Sequence, residues 1–138
     1  MDQGGKQYTL RRNDLIYPEL SFKISGVLFN VFKQLGGGHE EKYYEKAVSI
    51  GFTKGQIKFN RQYYVPLTYE GEHIGKYYLD FLVEGKIILE LKRGKYLNAR
   101  LIDQVTKYLE TLKLQLAIIA CFTSNGVIIK RIINHNML

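Results

Sequence analysis

Residues 78–92, YLDFLVEGKIILELK, read as two apolar strands joined at Glu84, Gly85 and Lys86, yet they carry Asp80 on the first strand and Glu90 and Lys92 on the second. Strands this rich in Ile, Leu, Val and Phe belong in a buried sheet. An unpaired charge there costs on the order of several kcal/mol, so the three charges must be paired, solvated or bound to a metal. Side chains alternate across a strand, which puts Glu90 and Lys92 on one face. Asp80 joins that face if it stands opposite Glu90, an arrangement that pairs Leu82 with Ile88 and leaves an odd-numbered loop centred on Gly85. A two-residue turn at Glu84 and Gly85 would set Asp80 opposite Leu89 instead. A shared site therefore requires a three-residue loop or a bulge.

Two carboxylates and an ammonium converging at the end of a sheet suit phosphodiester hydrolysis. Carboxylates supply the hard oxygen ligands that Mg2+ prefers; the metal polarises the phosphoryl group and acidifies a bound water, and the lysine positions that water or stabilises developing charge. The same residues also suit a cross-strand salt bridge between Lys92 and Asp80 or Glu90. On these residues alone both readings stand.

The rest of the chain bounds the answer. Its 138 residues make one domain with room for a proper core. Twenty Lys and Arg against 13 Asp and Glu give a net charge of +7 and a pI near 9.4, which favours an anionic partner such as nucleic acid. The single cysteine, Cys121, lies in an apolar run; it excludes an internal disulfide and a cysteine-based zinc site, and the expected setting is a reducing cytoplasm. No apolar segment approaches the ~20 residues that cross a bilayer, and the N-terminus lacks a signal-peptide core, so no membrane partner is expected.

In chain order, residues 1–16 read as a loose polar leader, and Tyr17-Pro18 starts a helix. Leu20, Ile24, Val27, Leu28, Val31 and Leu35 recur at helical spacing and define its buried face. Gly36, Gly37 and Gly38 end it. A phosphate loop would need a preceding strand and a Gly-Lys-Ser or Gly-Lys-Thr, and a zinc-protease helix would need a second His where Tyr43 stands, so neither fits. A second helix over residues 39–50 points Tyr44, Ala47 and Val48 inward, with Glu41 on or beside that stripe and Glu40 and Glu45 in water. Glu41 also suits the helix dipole. Residues 56–65 alternate, with Ile57, Phe59, Arg61, Tyr63 and Val65 on one side, in a strand that ends or becomes an edge at Pro66. A polar turn over residues 70–75 leads into the central hairpin.

Beyond Lys92 comes a basic loop, Arg93-Gly94-Lys95, and a helix over residues 98–113 with a core stripe of Leu101, Ile102, Val105, Tyr108, Leu109 and Leu112. Arg100, Gln104, Lys107 and Thr111 form a polar ridge beside it. Between Lys92 and Lys113 six basic residues face two acidic ones, an excess that can grip a phosphate backbone or serve as an ordinary solvated face. Two apolar strands, 116–122 and 127–133, flank an Asn-Gly turn. The order predicts an α/β fold, a mixed sheet of about five strands flanked by helices.

With that order in hand, the chain resembles the GxxExxY family of the PD-(D/E)XK nuclease superfamily, a restriction-endonuclease-like fold. The name motif stands as Gly38-His39-Glu40-Glu41-Lys42-Tyr43-Tyr44, and the glycine-rich turn, the Arg61-Gln62 strand, the 78–92 hairpin and the helix after it follow in the same order across roughly residues 20–133. The resemblance implies that Asp80 and Glu90 ligate a metal, with the Leu91 carbonyl and Glu41 as further ligands, and that Lys92 is the catalytic lysine. Gln104 and Tyr108 are similar to the Gln-x-x-x-Tyr motif of RecB-type nucleases. The chain departs from the pattern at Leu79, where the superfamily commonly has Pro, and at Tyr78, near an expected Arg; both bear on substrate preference.

The implied protein is a Mg2+- or Mn2+-dependent deoxyribonuclease, RNA remaining an option as substrate, in repair or recombination. Its catalytic residues are Asp80, Glu90, Lys92, Glu41 and Gln104, and its nucleic-acid contacts are Arg93, Lys95, Arg100, Lys107 and Tyr108. A homodimer or a partner subunit is compatible with it. The competing expectation is a binding module for nucleic acid or protein that keeps the fold without turnover.

Overall fold

The computed structural model describes residues 16–95 and 97–138. The elements run α1 (Pro18–Leu35), α2 (Glu41–Lys54), β1 (Phe59–Tyr69), β2 (Glu72–Val83), β3 (Ile87–Arg93), α3 (Ala99–Leu112), β4 (Leu116–Phe122) and β5 (Val127–Ile133), followed by a 3-10 turn at His135–Met137. The strands form one mixed sheet in the order β1-β2-β3-β4-β5. Among the described residues only β3 and β4 are parallel, and α3 makes the crossover that a parallel pair requires. This is the α/β architecture that the apolar periodicity predicted.

Each face of the sheet has its own core. Ile24, Leu28 and Val31 of α1 and Tyr44, Val48 and Phe52 of α2 cover one face, against Phe81, Val83, Leu89, Leu91, Ile118 and Ala120. Leu101, Val105, Tyr108 and Leu109 of α3 cover the other, against Leu82, Ile88, Ala117 and Ile119. β4, buried at every position, is sandwiched between the two layers, so its sequence is apolar throughout rather than alternating.

Several expected boundaries move for identifiable reasons. The polar leader lies outside the described residues except for Ile16, which is buried in the core cluster and whose carbonyl accepts from Arg131 Nη2 at 2.8 Å. Helix α2 runs a turn past residue 50, through Gly51, which permits a close approach to α1: a Cβ there would meet Val27 Cγ1 at 2.6 Å. Strand β1 continues through Pro66, which pairs with Lys76 and is tolerated on an edge strand. The polar turn shrinks to Glu70 and Gly71, with φ of 50° and 78°, the positive pair that a tight two-residue hairpin demands.

One correction matters for the site. Ile57, Phe59, Arg61, Tyr63 and Val65 do not share a side. Phe59 packs with the α1/α2 layer and Arg61 bonds Glu45 of α2, whereas Tyr63 and Val65 pack with α3. Gln62, at φ 49°, interrupts the pleat between them. The neighbouring strand inverts at the same level, since Leu79 packs on the α3 side and Phe81 on the α1/α2 side. The β1–β2 register skips Gln62 and Asp80, passing from Arg61↔Phe81 to Tyr63↔Leu79. Asp80 thus sits where the pleat of the sheet reverses.

Candidate active site

The hairpin register follows from its loop. Leu82 pairs with Ile88 and Val83 with Ile87, which leaves Glu84, Gly85 and Lys86 as the three-residue connection; Glu84 and Gly85 take φ of 53° and 66°. The ladder between β2 and β3 then stops at Phe81↔Leu89. Beyond it, side chains replace backbone bonds: the Asp80 N–H donates to Glu90 Oε2 at 2.7 Å, and the Leu91 N–H donates to Asp80 Oδ2 at 2.8 Å. The two carboxylates hold the strands together while forcing them apart.

This position is electrostatically costly. Glu90 is only 7% exposed. Burial, followed by the neighbouring charge of Asp80, raises its carboxyl from the usual 4.5 to about 8, against the opposing Asp80 N–H and Lys92. Burial also raises Asp80 from 3.8 to about 6; the Leu91 N–H and Lys92 pull it down while Glu45 and Glu41 push it up. Lys92 is near enough to favour both anions, yet among the described residues it makes no ion pair within 4 Å to either. The salt-bridge alternative is absent from the described residues.

Helix α2 brings acidic groups to the same place. Glu41 Oε2 accepts the Arg93 N–H at 3.1 Å, tying the first turn of the helix to the end of β3. One of its carboxylate oxygens thus secures the end of β3, and the described residues contain no group of three or more His, Cys, Asp or Glu placed together to hold a metal ion. Glu45, expected in water, has a side chain only 13% exposed. Its Oε1 accepts from Arg61 Nη2 at 2.9 Å and from Gln62 Nε2 at 3.0 Å, and its charge raises both Asp80 and Glu90. Glu45 lies one helical turn from Glu41, on the same face of α2.

The Gly38, Glu41 and Tyr44 positions of the sequence motif each have a physical task. Gly38 takes φ 88° in the turn between helices. Tyr44 is fully buried, stacks on Phe122 at a centroid distance of 4.1 Å, and donates its hydroxyl to the Gly36 carbonyl at 2.6 Å. The glycine turn thereby rests on the β4–β5 loop, so closely that a Cβ on Gly37 would lie 2.6 Å from the Thr123 carbonyl oxygen. Together these contacts aim the start of α2 at the end of β3.

On the α3 side, Lys92, Arg93, Asn98, Arg100 and Gln104 line a cavity of about 220 Å³. The Asn98 side chain caps α3 by accepting the Leu101 N–H at 2.9 Å. Gln104 is close enough to Tyr108 to favour the anionic form of its hydroxyl. Tyr108 itself is a core residue, 6% exposed with its ring 5.3 Å from Tyr77, so its expected place in a nucleic-acid surface is corrected to packing behind Gln104. Burial and the nearby Glu90 raise its hydroxyl to about 12. Lys95 and Lys107 are exposed outside this cavity; Lys95 instead borders a depression beside Thr123–Ile128.

The donor set fits a small hard cation. Asp80 Oδ1 and Glu90 Oε1 take no hydrogen bond among the described residues, leaving one oxygen each, and Mg2+ characteristically uses one or two carboxylates with water and phosphate oxygens. A buried pair of like charges is stabilised by such an ion. Glu41 and the buried Leu91, whose N–H is spent on Asp80, stand beside this pair.

A sheet that opens on paired carboxylates with a lysine two residues on defines a nuclease-type α/β domain. The chain belongs to the PD-(D/E)XK nuclease superfamily, whose family model matches residues 18–132. That membership implies a nucleic-acid substrate and, as is general in the superfamily, divalent metal. The crystal structure of SSO0001 is similar at 15% identity and a TM-score of 0.48, over 96% of this chain and 80% of that one. No curated protein matches the chain. No helix of the described residues is long and apolar enough to cross a membrane.

Proposed function

We propose that this chain is a GxxExxY-type deoxyribonuclease that hydrolyses phosphodiester bonds with Mg2+ or Mn2+. The observation that carries the reading is the buried, mutually repelling Asp80–Glu90 pair at the point where the β2–β3 ladder opens, with Lys92 two residues on and a basic cavity beside it. Asp80 and Glu90 would hold the cation through their remaining oxygens. When bound, it supplies a polarised phosphoryl group and an acidified water. Lys92 orients the attacking water and offsets charge that develops on the phosphate. Gln104 fixes the Lys92 end of the cavity. Arg93 and Arg100 hold backbone phosphate without reading sequence, and the exposed Lys95 and Lys107 extend the positive field. Glu41 and Glu45 act by position: one secures the end of β3, and the other adds the negative charge that favours a bound cation.

Cleavage of labelled single-stranded, duplex, flap and four-way-junction DNA, with Mg2+, Mn2+ or EDTA, tests this reading. Metal-dependent cutting should fall on the order of a thousandfold in Lys92→Ala and Asp80→Ala. Binding without cutting, unchanged in both variants, would instead mark a non-catalytic module.

A further inference from the structure

The β1–β2 hairpin is longer than the sheet needs. β2 spans Glu72–Val83 but pairs with β3 only at Phe81, Leu82 and Val83, so the remainder runs on with β1 as a two-stranded arm rooted at Asp80. Near its root, Tyr63, Val65 and Leu79 pack with α3, and Tyr77 meets Tyr108. Alternation then leaves Tyr64 and Tyr78 on the opposite face. They stand directly across the strands from each other, with ring centroids 5.9 Å apart, and are 45% and 48% exposed. The Tyr64 hydroxyl is 3.0 Å from His73 Nε2, and the Lys76 ammonium lies 5.8 Å from the centre of the Tyr78 ring.

We infer that this face is a base-stacking platform for single-stranded nucleic acid, feeding an unpaired strand to the carboxylates. The inference deepens the nuclease reading and rests on it for the direction of the strand. Exposed rings offer π-faces that stack on any unpaired base, whereas in a duplex those base faces are already covered by neighbouring bases. Lys76 adds the cation that a strand's phosphates need, on a chain of net charge +7. Tyr78 precedes Asp80 by two residues, about 7 Å along a strand. The rings face away from α3 while the Lys92–Gln104 cavity lies on the α3 side, so a strand stacked on the rings reaches the carboxylates by crossing the open fork at Asp80. Nearly half of each tyrosine is exposed to a guest, and the Lys76 side chain that lies over the Tyr78 ring is the one a stacking base would turn toward its phosphate.

The test is binding of a fluorescein-labelled oligothymidylate and of a blunt duplex, both in EDTA, followed by fluorescence anisotropy. The full chain should bind the single strand more tightly. Tyr64→Leu/Tyr78→Leu should weaken that binding on the order of tenfold for each ring, leave duplex binding unchanged, and melt near the wild type; Tyr64→Phe/Tyr78→Phe, which keeps the rings, should restore it. Equal affinity for both DNAs, or unaltered single-strand binding in the leucine variant, would overturn the platform. So would loss of a dimer in sedimentation with strand binding intact, which would assign the rings to contact between copies. Cleavage in Mg2+ is scored separately: cutting without ring-dependent binding sinks the platform and keeps the nuclease, while ring-dependent binding without cutting does the reverse.

Discussion

Strand β3 has two very different edges. Against β4 it pairs without interruption from Ile87↔Leu116 to Arg93↔Phe122; against β2 it pairs only from Ile87 to Leu89, and then the carboxylates of Asp80 and Glu90 take over. One edge maximises backbone bonding and apolar burial. The other gives up ladder bonds to wedge two acids into a fork. The first supplies the rigidity that lets the second persist, because a buried pair of like charges would open a less firmly held sheet.

The largest effect should come from weakening the continuous edge. Ile118→Ala removes a fully buried side chain from β4 and should cost about 2–5 kcal/mol in urea unfolding. A loss below about 1 kcal/mol would mean that the continuous edge is not the anchor.

Next comes the pH dependence of the fork. The folded values of Asp80 and Glu90, about 6 and about 8, lie above their ordinary 3.8 and 4.5. The folded chain keeps protons that the unfolded chain has released. Stability from this pair is therefore fully present below about pH 4 and is lost as pH rises through the folded values, levelling off above about pH 8. In EDTA, Glu90→Gln should flatten this fall and be more stable than the wild type at high pH by a few kcal/mol, on the order expected for a buried charge. Equal pH profiles for the two proteins would contradict the repulsion.

Metal sharpens the contrast further. At a hundredfold excess over its dissociation constant, Mg2+ should stabilise the wild type by about 3 kcal/mol and Glu90→Gln by much less, read as a rise in melting temperature. A rise of the same size in both would place the ion elsewhere. The smallest effect belongs to the support. Tyr44→Phe keeps the stack on Phe122 but loses the bond to the Gly36 carbonyl, and should cost about 1 kcal/mol, measured by chemical denaturation.

The parts legible in the sequence were those set by period and spacing. The hairpin pattern tied a shared Asp80–Glu90 site to an odd loop centred on Gly85, leaving the register to choose that loop over a two-residue turn; the stripe of α3 identified Leu101, Val105 and Leu109 as core. The parts that stayed hidden depend on contacts between distant segments. Glu45 reads as a solvated helix residue until Arg61 and Gln62 arrive against it. The reversal at Gln62 leaves no mark in an alternating pattern, because Arg61 and Tyr63 are both acceptable on either face. Glu41 could be placed near the site, but not its bond to the Arg93 N–H, since backbone donors have no sequence signature.

The order in which the fork can assemble follows from how far apart its members lie along the chain. The bonds linking Asp80 to Glu90 and Leu91 close separations of only 10 and 11 residues, within a single hairpin, whereas the Glu41–Arg93 bond closes 52. Loop closure costs more entropy as the loop lengthens, so the two acids can meet while the polypeptide is still largely unfolded, and α2 docks onto a fork that has already formed. Early in folding the pair is still bathed in water and carries little electrostatic penalty. The repulsion grows as the helices close over it, so the unfavourable charge accumulates on the native side of the folding barrier, where it speeds unfolding more than it slows folding.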